Sequence, residues 1–373
     1  MILKIMSFKN RPRFFRFSSE LKDILVETLQ NLQKESMKKY FRSIVALVVL
    51  LAGSVQLHSQ ENNIYSADKK ISIPGNGGYD YIFADQQNRR LYVSHGTEVN
   101  VIDLNTETLI GTIGGMQGNH GIAIAPEVDR GFVSDGRTNS VLAFDTKTLK
   151  PIKTIALSGK KPDAIIYDPF SKFIFAFNGS SNNTSVIDVN SLQEIKTIDL
   201  GGGPEFAVAD GKGKIYNNIE DKNELKVIDT KSLQVTGTIP LAPCGGPTGL
   251  AIDIKNQRLF TGCRENKGMS VVDINSGKVI TTLPIGAGVD AVVYDPSTQL
   301  IFCSNGDATT TIIRQETPDK YSVVQTIPTQ QRAKTMALDA KTHKIYLSVV
   351  DFEPGTRNAL PDSFKLLVYK MNQ

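Results

Sequence analysis

Six ionisable residues of unlike type occupy matched positions along the chain, at intervals of 40 to 44 residues. They are Asp80, His120, Asp163, Glu205, Asp290 and Lys334, and Thr248 holds a seventh matched position. His120 and Glu205 match after an adjustment of one residue for turn length or strand register. Carboxylates clustered with a histidine can bind a hard divalent cation or a polar ligand. Close carboxylates also raise one another's pKa, which suits acid–base chemistry.

A second group of polar residues lies about fifteen positions after the first, where predicted strands end and loops begin. This group contains His95, Asp135, Arg137, Asn178 and Asn305. If both groups reach one face of the fold, their eleven residues form a single ligand site. We predict such a site, with His120, Glu205 and Asp290 as candidate metal ligands. The sequence identifies neither a catalytic residue nor a cofactor beyond a candidate divalent metal ion.

The elements that position these residues are repeats. A Thr-Ile or Thr-Leu pair recurs at intervals of 41 to 44 residues, beginning at Thr112, Thr154, Thr197, Thr238, Thr282 and Thr326. A Val-Ile-Asp type segment, first at 101–103, and an Arg-Leu-Tyr-Val-Ser type segment, first at 90–94, keep the same register. A period of this length is typical of propeller arrays.

Each repeat contains four short β-rich runs separated by turn residues, and no helical periodicity interrupts them. In the first repeat the runs are 81–84, 91–94, 100–103 and 108–113. Seven such units predict an all-β fold, a seven-bladed β-propeller of four-stranded blades that spans residues 62–373. The inner strands of a propeller surround its axis, so their first residues should gather at one mouth of the central channel.

The last repeat lacks a Thr-Ile strand, because the chain stops after Phe364-Lys-Leu-Leu-Val-Tyr-Lys and three further residues. The segment Lys69–Ile73 resembles the missing strand. We predict that it is the outer strand of the last blade, so that hydrogen bonding closes the ring and removes an open edge.

Ten aspartates recur at equivalent positions of successive repeats and are predicted to be structural. They are Asp103, Asp145, Asp188, Asp229 and Asp273 after the third strand, and Asp85, Asp168, Asp253, Asp295 and Asp339 after the inner strand. An aspartate before a turn accepts hydrogen bonds from nearby backbone amides. We therefore leave these ten outside the predicted site.

Residues 37–59 have the pattern of a signal peptide: a basic start, the apolar run Ile44–Ala52 and a polar end with a small residue at Ser59. Residues 1–36 are then expected to be an over-extended N-terminus. The alternative is a cytoplasmic tail before a short membrane anchor. We expect a periplasmic or extracellular protein without a stable membrane span after cleavage.

Charge placement argues against nucleic-acid binding. Residues 1–59 hold ten of the 42 Lys and Arg residues and four of the 38 Asp and Glu residues. The rest is slightly acidic, whereas a nucleic-acid binder needs a basic face on its folded part. We expect a small-molecule, glycan or protein ligand, and a monomer.

Three cysteines remain outside the leader. Cys244 lies before an inner strand and Cys263 ends the next strand, and antiparallel pairing would bring both to one face. Cys244–Cys263 is thus a disulfide candidate, with the reduced pair as the alternative. Cys303 is predicted to be a buried free thiol.

The repeats resemble the YVTN-type, YncE-like β-propeller family. Its Tyr-Val-Thr-Asn strand corresponds to Tyr92-Val-Ser-His and Phe132-Val-Ser-Asp, and its Thr-Ile-Pro-Val strand to Thr238-Ile-Pro-Leu. The resemblance covers residues 62–373. It implies the propeller fold and an exported location, and it implies little about function, because the family includes surface-layer and binding proteins.

Three functions stay open at this point. The first is binding of a small polar ligand, glycan or protein at the polar face. The second is a metal-dependent hydrolase or lactonase, by analogy with senescence-marker and gluconolactonase propellers, with Glu205, Asn178, Asn305 and Asp290 in the metal-site roles. The third is a structural cell-surface protein. The chain contains no nucleophile elbow, P-loop or His-Glu-x-x-His motif that would favour catalysis.

Overall fold

The structure is a computed structural model that describes residues 23–31, 33–34, 37, 63–356 and 358–372. Residues 23–31 are helical and exposed. Apart from Met37, the predicted signal peptide lies outside the described residues, as do residues 1–22 of the segment before it. Within the described ranges, no helix has both the length and the apolar character needed to cross a bilayer.

Residues 65–371 form seven antiparallel sheets of four strands each. The innermost strands are β2 (Tyr79–Asp85), β6 (Asn119–Ala125), β10 (Pro162–Asp168), β14 (Pro204–Ala209), β18 (Pro247–Asp253), β22 (Val289–Asp295) and β26 (Met336–Asp339). The second strands are β3 (Arg90–His95), β7 (Arg130–Asp135), β11 (Phe173–Asn178), β15 (Lys214–Ile219), β19 (Arg258–Cys263), β23 (Leu300–Asn305) and β27 (Lys344–Val349). The third strands are β4 (Glu98–Asp103), β8 (Ser140–Asp145), β12 (Asn183–Asp188), β16 (Glu224–Asp229), β20 (Gly268–Asp273), β24 (Thr309–Thr317) and β28 (Lys365–Met371). The outer strands are β5 (Thr108–Ile113), β9 (Pro151–Ala156), β13 (Gln193–Asp199), β17 (Gln234–Pro240), β21 (Lys278–Pro284), β25 (Lys320–Pro328) and β1 (Tyr65–Ser72).

Each inner strand contacts the inner strand of the next sheet, and β26 contacts β2, which closes a ring around a central channel. The predicted seven-bladed β-propeller is therefore confirmed. Single 3₁₀ turns, Pro126–Val128 and Glu220–Lys222, take part in two of the connections.

The last blade is completed by the N-terminal strand, as predicted. Strand β1 pairs antiparallel with β28, from Tyr65 opposite Met371 to Ser72 opposite Lys365. Tyr65 is buried, its hydroxyl donates a hydrogen bond to the His343 carbonyl at 2.6 Å, and its ring packs edge-on against Phe302 at 5.0 Å between centroids. The two ends of the propeller are thus held together by one sheet.

Burial explains the repeated sequence landmarks. The Ile or Leu of each Thr-Ile pair, such as Ile113 and Ile155, is buried at the end of an otherwise exposed outer strand. The second strands are buried along nearly their whole length because neighbouring blades cover both of their faces. The core accordingly lies between blades: one cluster joins Phe132 of the second blade to Ile174 of the third.

The repeated aspartates fix turns, as predicted. The Asp103 side chain accepts hydrogen bonds from the backbone amides of Asn105 and Thr106 at 2.8 and 2.7 Å. Asp85 accepts from the amides of Gln87 and Asn88 in the same way, at 3.1 Å each. These carboxylates are engaged by their own turns and are not free for a ligand.

Cys244 and Cys263 are joined by a disulfide, with their Cα atoms 5.1 Å apart. Cys303 is a buried free thiol. Burial raises the pKa of the Cys303 thiol well above its ordinary value.

Candidate functional site

Five of the six ionisable residues share one backbone position. In β2, β6, β10, β14, β18 and β22 the first residue pairs with the last residue of the second strand, for example Tyr79 with His95 and Pro204 with Ile219. The residue that follows is left out of the pairing by a register shift, together with the next residue in every one of these strands except β22. A bulge of this kind re-aims side chains at the rim of a β structure. This unpaired residue is Asp80, His120, Asp163, Glu205, Thr248 or Asp290.

Side chains of the preceding blade hold these residues in place through their backbone carbonyls. Ser134 donates to the Asp163 carbonyl at 2.5 Å and Asn218 donates to the Thr248 carbonyl at 2.7 Å. Equivalent bonds run from Ser94 to His120, from Ser304 to Lys334 and from Ser348 to Asp80. The serine of the repeated second strand thus positions the first residues of the next inner strand.

One side of the mouth holds a histidine between two carboxylates. The His120 Nδ1 atom lies 2.5 Å from an Asp80 oxygen and 3.7 Å from an Asp163 oxygen. One donor atom from each of the three residues falls within a 4.8 Å radius of the others. Burial alone would lower the pKa of His120, but the hydrogen bond to Asp80 and the charge of Asp163 outweigh it and raise that pKa.

Two carboxyl groups at the mouth hold their protons unusually tightly. Burial, followed by the charge of Asp80, raises the pKa of Asp163 to about 6. Burial, followed by the charges of Glu220 and Asp163, raises the pKa of Glu205 to about 8. Near neutral pH, the Glu205 carboxyl is therefore mostly protonated and can donate a hydrogen bond.

The other side of the mouth is an ion-paired network around Asp290. This carboxylate is buried and binds Arg264 at 2.8 Å and Lys334 at 2.7 Å. Arg264 also reaches Glu220 at 2.7 Å. Burial would lower the pKa of Lys334, yet the charge of Asp290 and its hydrogen bond raise it. Both cations are thus already engaged by carboxylates.

Arg264 and Glu220 were missed from the sequence, although the repeat contains a signal for them. Each directly follows a second strand, where four other blades have glycine: Gly96, Gly136, Gly179 and Gly306. A Cβ atom added at Gly136 would lie 2.8 Å from His120 Nε2. The position therefore faces the mouth, and a charged side chain in place of the glycine marks a site residue.

Four predicted site residues do not join the mouth, and this corrects the expectation for the second-strand ends. His95 is buried, stacked on Phe364 at 4.2 Å, with its Nδ1 atom 2.9 Å from the Asn100 side chain. The buried Asp135 carboxylate accepts the amides of Gln117 and Gly118. These groups order loops within and between the first two blades.

Asn178 and Asn305 are likewise buried within their own blades. The Asn178 amide donates to Asn183 and Ser185, and the Asn305 amide donates to Thr309 and Thr311, all within 3.1 Å. Because neither amide reaches the mouth, the set Glu205, Asn178, Asn305 and Asp290 expected for a lactonase-type metal site is not assembled.

A cavity of about 340 Å³ opens beside the Asp80–His120 pair. Its walls come from loops of the first two blades and include Asn76, Gln117, Arg137 and the glycines Gly77, Gly78, Gly96 and Gly118. Arg137, a predicted site residue, is exposed, and its guanidinium forms no ion pair with any described residue. The cavity lining thus contains one acidic residue, Asp80, and two basic residues, His120 and Arg137.

Below the charged mouth, two aromatic rings meet across the channel. Tyr81 of the first blade and Phe206 of the fourth lie 4.7 Å apart between ring centroids. The other inner strands carry small residues at this level, such as Ala164 and Ala291. The two rings close the floor of the mouth, and burial raises the pKa of the Tyr81 phenol.

Comparison with known proteins leaves the chain without an assigned family. No protein-family profile matches it, and no curated protein sequence matches it. Among solved structures, a chain described as Kuenenia stuttgartiensis hydrazine synthase is similar, with 16% identity and a TM-score of 0.48. The similarity covers 66% of this chain and 97% of that one. It says nothing about the chemistry of this protein, whose fold rests on its own strand pairing.

Proposed function

We propose that the charged mouth binds a small polar ligand that carries a cationic group. The observation that carries this proposal is an excess of carboxyl groups over cations on one side of the mouth, where Asp80 and His120 also line a cavity. Asp80 and Asp163 share His120 as their cation, and Glu205 forms no salt bridge with any described residue. A ligand ammonium group would neutralise these acids and release the proton that Glu205 holds.

The cavity supports a ligand of limited size. A volume of about 340 Å³ is at the small end of the range for small-molecule sites, which is about 300–1,000 Å³. Arg137, which also lines the cavity, would suit a negative or strongly hydrogen-bonding group of the same ligand. An amino acid or an amino sugar has this distribution of groups.

The test is a ligand-dependent shift in thermal unfolding at pH 7, with lysine, arginine, spermidine and glucosamine as probes. At a probe concentration of 100 times Kd, a bound probe adds about 2.7 kcal/mol to the unfolding free energy. We expect stabilisation by at least one probe, and its loss in Asp80→Asn and Asp163→Asn. Asp229→Asn, in a turn on the opposite side of the fourth blade from the mouth, is the matched control and should respond like the wild type. If no probe stabilises the wild type, or if the double Asp80→Asn/Asp163→Asn variant still responds, the proposal is wrong.

A divalent-metal site is the second candidate, because donors of Asp80, His120 and Asp163 lie close enough to share one ion. The raised pKa of His120 opposes this reading, since a metal needs the neutral imidazole. A metal-dependent hydrolase would require that a cation compete with the proton. Calorimetric titration with Ca²⁺ and Zn²⁺, repeated on His120→Ala, distinguishes this candidate: a stoichiometric signal lost in the variant supports it.

We also propose that the chain is an exported propeller of the YVTN type. Support comes from the repeated Tyr-Val-Ser and Thr-Ile segments, the leader pattern of residues 37–59 and a disulfide, which persists in oxidising compartments. N-terminal sequencing of protein recovered outside the cytoplasm should give a start at residue 60 or 61. A start before residue 37 would contradict signal cleavage.

A further inference from the structure

The end of the channel opposite the charged mouth is a second, chemically different chamber. It has a volume of about 800 Å³ and extends from the Tyr81–Phe206 floor to the turns after the inner strands. All seven inner strands contribute to its wall. Half-buried apolar side chains dominate it: Phe83, Ile166, Val208, Ile252, Val293 and Leu338.

Apart from the Tyr81 hydroxyl at the floor, the polar side chains of this chamber are already hydrogen-bonded or ion-paired within the protein. Glu127, the one charged residue among its described lining, pairs with Lys172 at 2.6 Å and accepts from the Tyr167 hydroxyl at 2.9 Å. The Tyr294 hydroxyl donates to Gln315 at 2.6 Å. Gln86 donates to the Leu338 carbonyl at 2.8 Å. An incoming molecule therefore meets apolar surface and finds no free charge.

We propose that this apolar chamber is a binding site for a compact, uncharged, largely apolar small molecule, such as one with fused or linked rings. A chamber of about 800 Å³ lies within the usual range for such ligands, which is about 300–1,000 Å³. An apolar wall to which every blade contributes is unfavourable in contact with water unless something covers it. The chamber is blind at its inner end, so it suits a small molecule better than a folded partner.

The width of the chamber favours rings over a single extended chain. Seven strands surround it, and the rings of Phe83, Tyr167 and Tyr294 lie in its wall. Aromatic walls favour flat ligands through stacking and edge-on contacts, each worth about 0.5–1.5 kcal/mol beyond area burial. The site differs in position and chemistry from the proposed cation site above the floor.

The test uses the neutral fluorescent probe N-phenyl-1-naphthylamine with the full chain. We expect probe fluorescence to rise and saturate at one probe per chain. Val208→Trp and Ile166→Trp fill the chamber and should each weaken binding at least tenfold. Val323→Trp makes the same exchange on the outer strand β25, where Val323 is 41% exposed, and should bind like the wild type.

The wild-type chain contains no tryptophan. The introduced indole therefore reports through its own emission whether each variant is folded, and Val208→Phe replaces any variant that is not. Asp80→Asn/Asp163→Asn should bind the probe normally, which separates this site from the proposed function. Absence of saturable binding to the wild type overturns the proposal, as does undiminished binding in both chamber variants. Concentration-dependent dimerisation that Val208→Trp abolishes would also overturn it, because a second copy would then cover the chamber.

Discussion

The two ends of one channel are built from the same seven strands yet present opposite chemistry. At one end, the unpaired residue of the inner strand is ionisable in five blades, and Lys334 adds a sixth charge. At the other end, three residues further along, the same strands present Phe83, Ile166, Val208 and Val293. The Tyr81–Phe206 contact separates the two ends. The comparison shows that a repeated scaffold fixes the blade walls and leaves both ends of the inner strands free to differ.

The two ends also differ in how completely their polar groups are satisfied. Apart from the Tyr81 hydroxyl at its floor, the apolar chamber has its few polar side chains bonded within the protein. The charged mouth is only partly satisfied: the Asp290 side is ion-paired, whereas burial, and after it the charges of neighbouring acids, raises the pKa values of Asp163 and Glu205. Incomplete satisfaction is typical of functional sites.

The largest expected effect is the loss of both the charged mouth and the apolar chamber when the ring of blades is opened. A chain that begins at residue 73 lacks β1, exposes the edge of β28 and removes the buried Tyr65. We expect it to lose most of its unfolding free energy, about 5–15 kcal/mol for a typical domain. Thermal melting followed by circular dichroism measures this against a chain that begins at residue 63. Equal melting temperatures would show that the closing strand is dispensable.

Removal of the Tyr81 ring should connect the charged mouth with the apolar chamber. It should lower the unfolding free energy less than removal of β1 does. Tyr81→Ala leaves a space against Phe206, and a large-to-small change of this kind costs about 3 kcal/mol. Tyr81→Phe keeps the ring and should stay within about 0.5 kcal/mol of the wild type. Urea unfolding of the three proteins measures both values. A Tyr81→Ala variant as stable as the wild type would show that the rings do not support the channel.

The smallest expected effect is a pH dependence confined to the charged mouth. The pKa of Glu205 is about 8 in the folded protein, against an ordinary value near 4.5. The native state therefore binds more protons than the unfolded chain between these values, and the unfolding free energy falls as pH rises from about 4.5 to 8. Asp163, with a pKa of about 6, acts in the same direction.

Glu205→Gln should reduce this fall in unfolding free energy by on the order of 1 kcal/mol, a figure that allows for solvent screening. In a domain of this size that equals about 1–2 °C in melting temperature. Melting curves at pH 5, 7 and 8.5 test it, with the exposed Glu265→Gln as control. A slope that is unchanged in Glu205→Gln would show that Glu205 is not the group that titrates.

The fold could be predicted from the sequence because each landmark reflects local pairing and burial. The isoleucine of Thr112-Ile113 is the buried end of an outer strand, and Asp103 caps the turn after a third strand. Because the last repeat lacks an outer strand, the sequence predicted that an N-terminal segment supplies it. This segment is β1, with bounds Tyr65–Ser72 instead of the predicted Lys69–Ile73. Such features repeat in every blade, so their register is readable without knowledge of the ring.

The site could be predicted only in part. Departures from the repeat identified Asp80, His120, Asp163, Glu205, Asp290 and Lys334 as matched residues. The sequence could not show that His95, Asp135, Asn178 and Asn305 turn into their own loops, because strand ends of similar polarity can face either a loop or the channel. The contact between Tyr81 and Phe206, which lie three blades apart, was also not predicted from the sequence.

By itself, the sequence determined the number of blades, the strands in each and the register that brings one residue of every inner strand to the same level, since local hydrogen bonding and burial repeat with the chain. Only the tertiary structure decided which unlike charges became neighbours, where the channel is blocked and that its far end is apolar. Those properties depend on distances across the axis between blades, and such distances exist only once the ring has closed.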